Sequence, residues 1–497
     1  MKKQKFGLLL FMIGISFNGF SQLDDFDLSK YKLPDLERHS LETNFNLSGY
    51  NNYNKVSNQS IYGFEEYGTN QYNGDIFINY NHYLNNFKFQ RETNFGLDLS
   101  SNFYNRKEDK ELLYKNNKIT PLLYFQKNNR KYYNGLSFFE TDLVLNYQYG
   151  NNKIFSKSSF DGSEIKDNLQ THTILAHVPL KLGTGRIEQV QDARHAIYIF
   201  EELSKINKVT SEKSEEEITE FANLISQLKN KRFFDSRLRR MAEIESVDSF
   251  LISNNYVSVQ DAKYFTTLSD FWDYGNRPLR NSGTRFSAVI LPGYYYYNFN
   301  NSGDGVYFGA GKYTLSALLF NGGIELKHEK PINLFWQNSI DLNCYAGIIE
   351  GKLNDKTNSV DNNIRIPNIQ LGFYQTIGFY PNTRTDMSFK YSVQYVQLFD
   401  KADLHNEVLG AEGKGAKAAT EFSINYYISP KFRLNVISSF YYVWQDSKDE
   451  AIINFNNVAG SNYLLSNFTP NTNRYNDYFK VKEIANSFRI SLIYSIF

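Results

Sequence analysis

Apolar residues recur at every second position through one stretch of this chain after another, and that period decides what the chain can fold into. Trp336, Ile340, Leu342, Cys344, Ala346 and Ile348 interleave with Gln337, Ser339, Asp341 and Asn343. Phe422, Ile424, Tyr426 and Ile428 interleave with Glu421, Ser423, Asn425 and Ser429, and Phe432, Leu434, Val436, Phe440 and Tyr442 with Arg433, Asn435 and Ser439. Successive side chains of a strand point to opposite sides, so each stretch is a strand with one oily and one polar face. Six such strands begin near Ser40, Gly74, Phe89, Lys118, Leu136 and Thr171. Eight more begin near Arg285, Tyr313, Trp336, Asn363, Met387, Glu421, Phe432 and Lys480. A total of about fourteen, within a range of 12 to 16, fits a transmembrane antiparallel β-barrel, whose even strand number returns both chain ends to one side.

The bulk composition narrows the class. Beyond the amino-terminal segment no run of about 18 apolar residues occurs, and the mean hydropathy is −0.50, which excludes a bundle of membrane helices. The 38 Tyr and 41 Phe suit strands and membrane interfaces. A formal net charge of +1 gives no reason to expect nucleic acid as a partner. The lone Cys344 can form neither an internal disulfide nor a thiolate metal site, and its parity places it on the oily face. Residues 1–21 read as an export signal: Lys2, Lys3 and Lys5, an apolar core from Phe6 to Phe17, then Gly19 and Ser21 at the cleavage point.

The last stretch, Ile484 to Phe497, alternates Phe488, Ile490, Leu492, Tyr494 and Ile496 with Arg489, Ser491 and Ser495. A chain that opens with an export signal and ends in a strand with a terminal aromatic residue resembles Bacteroidetes-type outer-membrane β-barrel proteins of Gram-negative envelopes. The final Phe497 departs from the usual terminus by sharing the parity of Ser491 and Ser495. The resemblance implies residence in the cell outer membrane, contact with its lipid, and recognition of the last strand by the outer-membrane assembly machinery. It carries no signature of a functionally characterised family.

Between Arg186 and Arg277 the period changes from two to about 3.6. Val190, Ala193, Ile197, Phe200 and Leu203 mark one helix, and Ile218, Phe221, Ile225 and Leu228 a second. A third runs from Asp235 to Ser253 and a fourth from Ser258 to Trp272, with Ser214/Glu217 and Ser258/Asp261 as caps. Four amphipathic helices bury a common core, so the domain plan is a lead-in over 22–38, a first barrel part over 39–185, an inserted helical domain over 186–278 and a second barrel part over 279–497. Because six strands precede the insertion, the plan places lead-in and helices in the periplasm. Gly183 and Gly185 are expected to bend the chain from strand to helix; the segment lacks the Lys-Ser/Thr ending of a phosphate loop. Arg237, Arg239 and Arg240 crowd one short stretch as a candidate contact surface for a periplasmic protein partner, with internal salt bridges as the alternative.

Seven histidines are scattered over different elements, and none sits in a motif resembling outer-membrane phospholipases, omptin-like proteases or lipid A deacylases. His172 and His177, five positions apart on one strand, point to opposite faces. No catalytic residue, metal ligand or cofactor site is assigned. Parity directs Asp98, Asp142, Glu325, Asp341, Lys390, Glu421 and Arg433 toward the lumen, where mixed charges either line a pore or pair and close it. Three functions follow in order. The first is a channel or transporter for small polar solutes whose helical domain gates or docks. The second is a structural or assembly component whose helical domain binds an envelope partner, and the third is a hydrolase.

Overall fold

The computed structural model describes residues 26–55, 66–108, 111–157, 162–230, 236–274, 279–304, 311–356, 360–399, 408–409, 413–447, 452–453, 468–469 and 479–495. The export signal and Phe497 lie outside the described residues.

Alternating side chains generate a closed antiparallel barrel of fourteen staves: β1 Leu36–Lys55, β2 Glu66–Asn86, β3 Phe89–Glu108, β4 Glu111–Tyr133, β5 Ser137–Lys157, β6 in two segments, Glu164–His177 and Leu180–Gln189, β7 Asn281–Asn301, β8 Gly311–Pro331, β9 Trp336–Asp355, β10 Val360–Asn382, β11 Thr385–Leu398, β12 Gly413–Ser429, β13 Phe432–Ser447 and β14 Phe479–Ser495. The two parts of β6 form one stave because they keep one register against both neighbours: Val144 opposes His177 and Thr141 opposes Leu180, while His177 opposes Gly293 and Leu180 opposes Ile290. Pro179, which has no N–H to donate, interrupts the ladder between them.

The staves run to as many as 23 residues, about twice what a membrane crossing needs. The sequence expectation started and ended most of them too late or too early. Toward the long connections both faces turn polar, as in Asn51 to Lys55 of β1, and the period-two signal disappears while the ladder continues. The ladder also begins at Leu36, not Ser40. Short links join the staves at one end, among them Phe87-Lys88, 134–136 and Pro430-Lys431.

Apolar side chains are exposed around the outer wall, with Leu47 at 73%, Leu318 at 64% and Phe488 at 67%. Cys344 lies in that wall beside Ile324, Leu342 and Leu371. Inside, polar residues dominate near the short links, and an apolar cluster of Leu315, Leu319, Ile349, Leu353, Ile364, Ile366, Val396 and Leu398 fills the inner face toward the long connections. The expectation of one oily and one polar face per strand is therefore corrected for this part of the wall. Segments such as Ala317 to Phe320 are apolar at both parities, so one set faces out while the other packs inside.

Between β6 and β7 stand α1 Gln191–Lys205, α2 Glu215–Asn230, α3 Ser236–Ser253 and α4 Ala262–Tyr274. Ser214 and Glu217 close a reciprocal capping box at α2, with Glu217 N donating to Ser214 Oγ at 3.3 Å and Ser214 N to Glu217 Oε2 at 2.7 Å. The fourth helix starts later than its expected Ser258. Asp261 caps it by accepting from Tyr264 N at 2.9 Å, while Ser258 N donates to Lys208 O at 3.0 Å in the preceding loop. The glycines expected at a strand-to-helix bend lie inside β6. A Cβ on Gly185 (φ +100) would stand 2.0 Å from Thr284 O, so this glycine permits β6 and β7 to approach. The helices bury a core of Val190, Ile199, Leu203, Phe221, Ile225, Leu251, Leu268 and Trp272, joined by Leu28, Tyr31 and Leu33 of the lead-in.

The barrel closes where β1 meets β14, and there the described ladder spans only Glu42–Ser495 to Phe45–Leu492, whereas β13 pairs β14 from Phe432–Tyr494 to Ser447–Phe479. In a Cys344→Ser background, a Thr43→Cys/Tyr494→Cys pair should therefore cross-link readily under mild oxidation. A Leu47→Cys/Ile490→Cys pair, which the same register would bring face to face, should not; equal cross-linking of both pairs would show the seam to be zipped along its length.

Candidate functional site: the helix-covered mouth and the charged lumen

The chain enters and leaves the helical domain through two arginines that grip the short links. Arg186 donates to Phe87 O and Asn86 O, each at 2.9 Å, and lies 4.6 Å from the Tyr132 ring centre. Arg280, just before β7, donates to Leu334 O at 2.7 Å, Asn333 O at 2.6 Å and Trp336 O at 2.7 Å. Val190 N donates to Arg280 O at 2.8 Å, tying entry to exit. Carbonyls at tight turns lack ladder partners, and a guanidinium fork can satisfy several at once.

From this root α1 passes across the barrel mouth, with every residue from Val190 to Phe200 buried. Asp192, fully buried, accepts from Lys229 Nζ of α2 at 2.9 Å, from Ser226 and from Arg38 of β1. Burial alone would raise its pKa; the Lys229 ammonium and the Arg38 guanidinium outweigh burial and hold the carboxyl well below the usual carboxylate range. Arg194, also fully buried, packs 5.4 Å from the Tyr198 ring centre and 5.3 Å from that of Tyr380 on β10. Arg384, in the link between β10 and β11, reaches Asp270 of α4 at 3.0 Å. The helical domain is thus tied to β1, to the β10–β11 link and, through its root, to the short links beside β6 and β7.

Above the mouth the inner wall carries a network of alternating charge. Lys181 lies 3.3 Å from Glu140, 3.0 Å from Asp142 and 3.0 Å from Glu325, while Arg130 pairs with Glu140. Tyr345 donates to Glu325 at 2.6 Å. The register explains the assembly: Glu140 is directly opposite both Arg130 on β4 and Lys181 on β6. These groups, with Arg285, Lys327 and Asp341, line a polar cavity of about 360 Å³.

Of the residues assigned to the lumen by parity, Asp142, Glu325 and Asp341 meet at this cavity. Lys390 opposes Glu421 across the β11–β12 ladder and lines a smaller recess with Asp341. Arg433 reaches over β14 to Glu42 of β1 at 3.3 Å. Asp98, opposite Phe77 and Leu122, stands apart. Arg239 pairs with Glu243 at 3.5 Å, and Arg240 with Ser269 and, at 2.5 Å, with Asp273; the side chain of Arg237 lies outside the described residues. Sequence reasoning passed over Glu140, which shares the parity of Asp142 and could have been found with it. It also passed over Lys181, Asp192, Arg38, Arg186 and Arg280, whose partners are set by register and by the docking of the helices.

No family model matches the chain, and no curated protein matches it. Among solved structures it is similar to the translocator domain of the autotransporter NalP from Neisseria meningitidis, at 9% identity over 86% of this chain and 95% of that one, TM-score 0.30. It is similar to the Pseudomonas putida toluene transporter TodX at 8% identity, over 93% of this chain and 89% of that one, TM-score 0.32. A Pseudomonas aeruginosa FadL homologue gives 8% identity over 94% and 91%, TM-score 0.27. Nothing about substrate follows from likenesses at this level.

Asp192→Asn leaves buried Lys229 and partly buried Arg38 without their counter-charge and should lower the stability of the helical domain by about 3–5 kcal/mol, read by denaturant titration of Trp fluorescence. Because folding lowers the Asp192 pKa, its contribution is fully present above the unfolded-state value of about 3.9 and is lost as pH falls below it. The wild-type protein should therefore lose stability on acidification below about pH 4 more steeply than the variant.

Proposed function

We propose that this protein is an outer-membrane channel or transporter for small polar solutes, and that its helical domain is a periplasmic plug. The observation that carries the reading is a closed barrel with an apolar outer wall enclosing a charged cavity of about 360 Å³, with ion-paired helices across one mouth. An exposed apolar wall of this extent is stable only where lipid covers it. Antiparallel barrels of this kind keep short turns on the periplasmic side, and the helices attach at the short-link end. Charged walls favour polar solutes, and the apolar cluster beyond the cavity narrows the path to small ones.

A second reading draws on the groove of about 710 Å³ between α3 and α4, where Met241 is 58% and Phe265 41% exposed beside Arg240 and Asp273. Such a surface suits a docking module, with the barrel as its anchor.

Planar-bilayer recordings separate the two. The intact protein should show rare, brief current steps at neutral pH, and an Arg38→Ala/Asp192→Asn variant, confirmed as a folded barrel, should show frequent and sustained ones. Silence from both would sink the channel reading and favour the anchored docking module; identical steps from both would remove the plug from the account.

A further inference from the structure

A cluster unrelated to the lumen lies on the outer wall at the short-link end of β1 and β2. His39 and His82 are directly opposed in the β1–β2 ladder, and Glu37 precedes His39 by two positions, so all three side chains leave the same face. The imidazole rings stack with centres 4.6 Å apart and planes 8° from parallel. Glu37 Oε1 lies 2.7 Å from His82 Nε2 and 3.8 Å from His39 Nε2. One ligand atom from each residue falls within 4.8 Å of the other two.

We propose that Glu37, His39 and His82 form a binding site for a divalent transition metal of the zinc class. Two imidazole nitrogens and one carboxylate oxygen are the donor set that such ions prefer over calcium or magnesium. Bond lengths of about 2.0–2.2 Å require ligand atoms roughly 3–4 Å apart, and side-chain rotations of well under one rotamer step bring these three to that spacing. The hydroxyl of Tyr80, 2.7 Å from His39 Nδ1, engages the other ring nitrogen and leaves Nε2 facing Glu37. Outer partners of this kind fix the orientation of metal-bound histidines.

The position gives the site a use. Tyr80 ends the apolar column of Ile76 and Ile78 on β2, and His82 follows it, so the cluster lies at the level where lipid headgroups meet water. Glu37 and His39 are half exposed there, open to an ion from the aqueous side. The metal would join β1 to β2 at the root of the stave whose far half lacks a described β14 partner, holding the first strand in the wall. Three protein ligands leave a position for water.

The test is titration of tag-free, full-length protein in detergent micelles with Co²⁺, followed by competition with Zn²⁺. One equivalent of Co²⁺ should bind with visible absorption bands of a low-coordinate nitrogen–oxygen site, and Zn²⁺ should displace it. His39→Ala and His82→Ala should each weaken binding at least about tenfold, and Tyr80→Phe by less than either. Glu37→Gln, which preserves shape and hydrogen bonding, guards against loss by misfolding and should also weaken binding. No uptake by the wild type, or equal uptake by wild type and the His39→Ala/His82→Ala protein, would overturn the site and leave a hydrogen-bonded surface trio.

Discussion

Where water is excluded, every backbone N–H and C=O must find a partner within the protein, and this requirement shapes the whole molecule. A closed antiparallel ladder meets it, and once the ladder is closed, parity assigns each side chain to the outer wall or the interior. β6 shows how strongly the ladder is conserved against local interruption: the register on both sides of Pro179 is unchanged. The helical domain is accommodated between two staves that remain paired down to Gln189 and Asn281, so the 91 residues from 190 to 280 are inserted without breaking the wall.

Inside the wall the same physics applies to charge. Buried ions are costly unless paired, and the lumen answers with Arg130, Glu140, Lys181, Asp142 and Glu325 arranged so that each has an opposite charge beside it. The mouth repeats the solution with Arg38, Asp192 and Lys229, but here the partners belong to different bodies, a stave and two helices. A contact between bodies that is strong when charged and lost when a partner is removed is a suitable latch. Arg186 and Arg280 keep the root of the domain fixed, so release of the Asp192 contact would free α1 without detaching the insertion.

The architecture was legible in the sequence because its signal is periodic and repeated. Alternation gave the staves, the change of period expected from Arg186 gave the helices, though β6 runs on to Gln189, and Ser214 with Glu217 gave a cap that forms as expected. Stave lengths were not legible, since strands that leave the apolar band lose alternation on both faces. The apolar inner cluster was hidden for the opposite reason: in Ala317 to Phe320 both parities are apolar, and sequence alone does not say which set turns inward. The site was partly legible. Parity named Asp142, Glu325 and Asp341, but their meeting depends on a register that places Glu140 opposite Arg130 and Lys181. Asp192 was least accessible, because a carboxylate in the first turn of a helix reads as an ordinary dipole match until its buried partners are seen.

In the proposed plug, the helical domain closes the lumen and the Asp192 contact holds it closed. Ser287 lines the cavity and is 2% exposed, so a Ser287→Cys substitution in a Cys344→Ser background places a single thiol behind the plug. The decisive measurement is the rate at which a water-soluble maleimide labels that thiol in the folded protein, with and without Asp192→Asn. With the helices as the plug, labelling should be at least about tenfold faster in the variant, the factor that corresponds to a loss of roughly 1.4 kcal/mol from the closed state. Equal rates would show that the helices do not control access to the lumen.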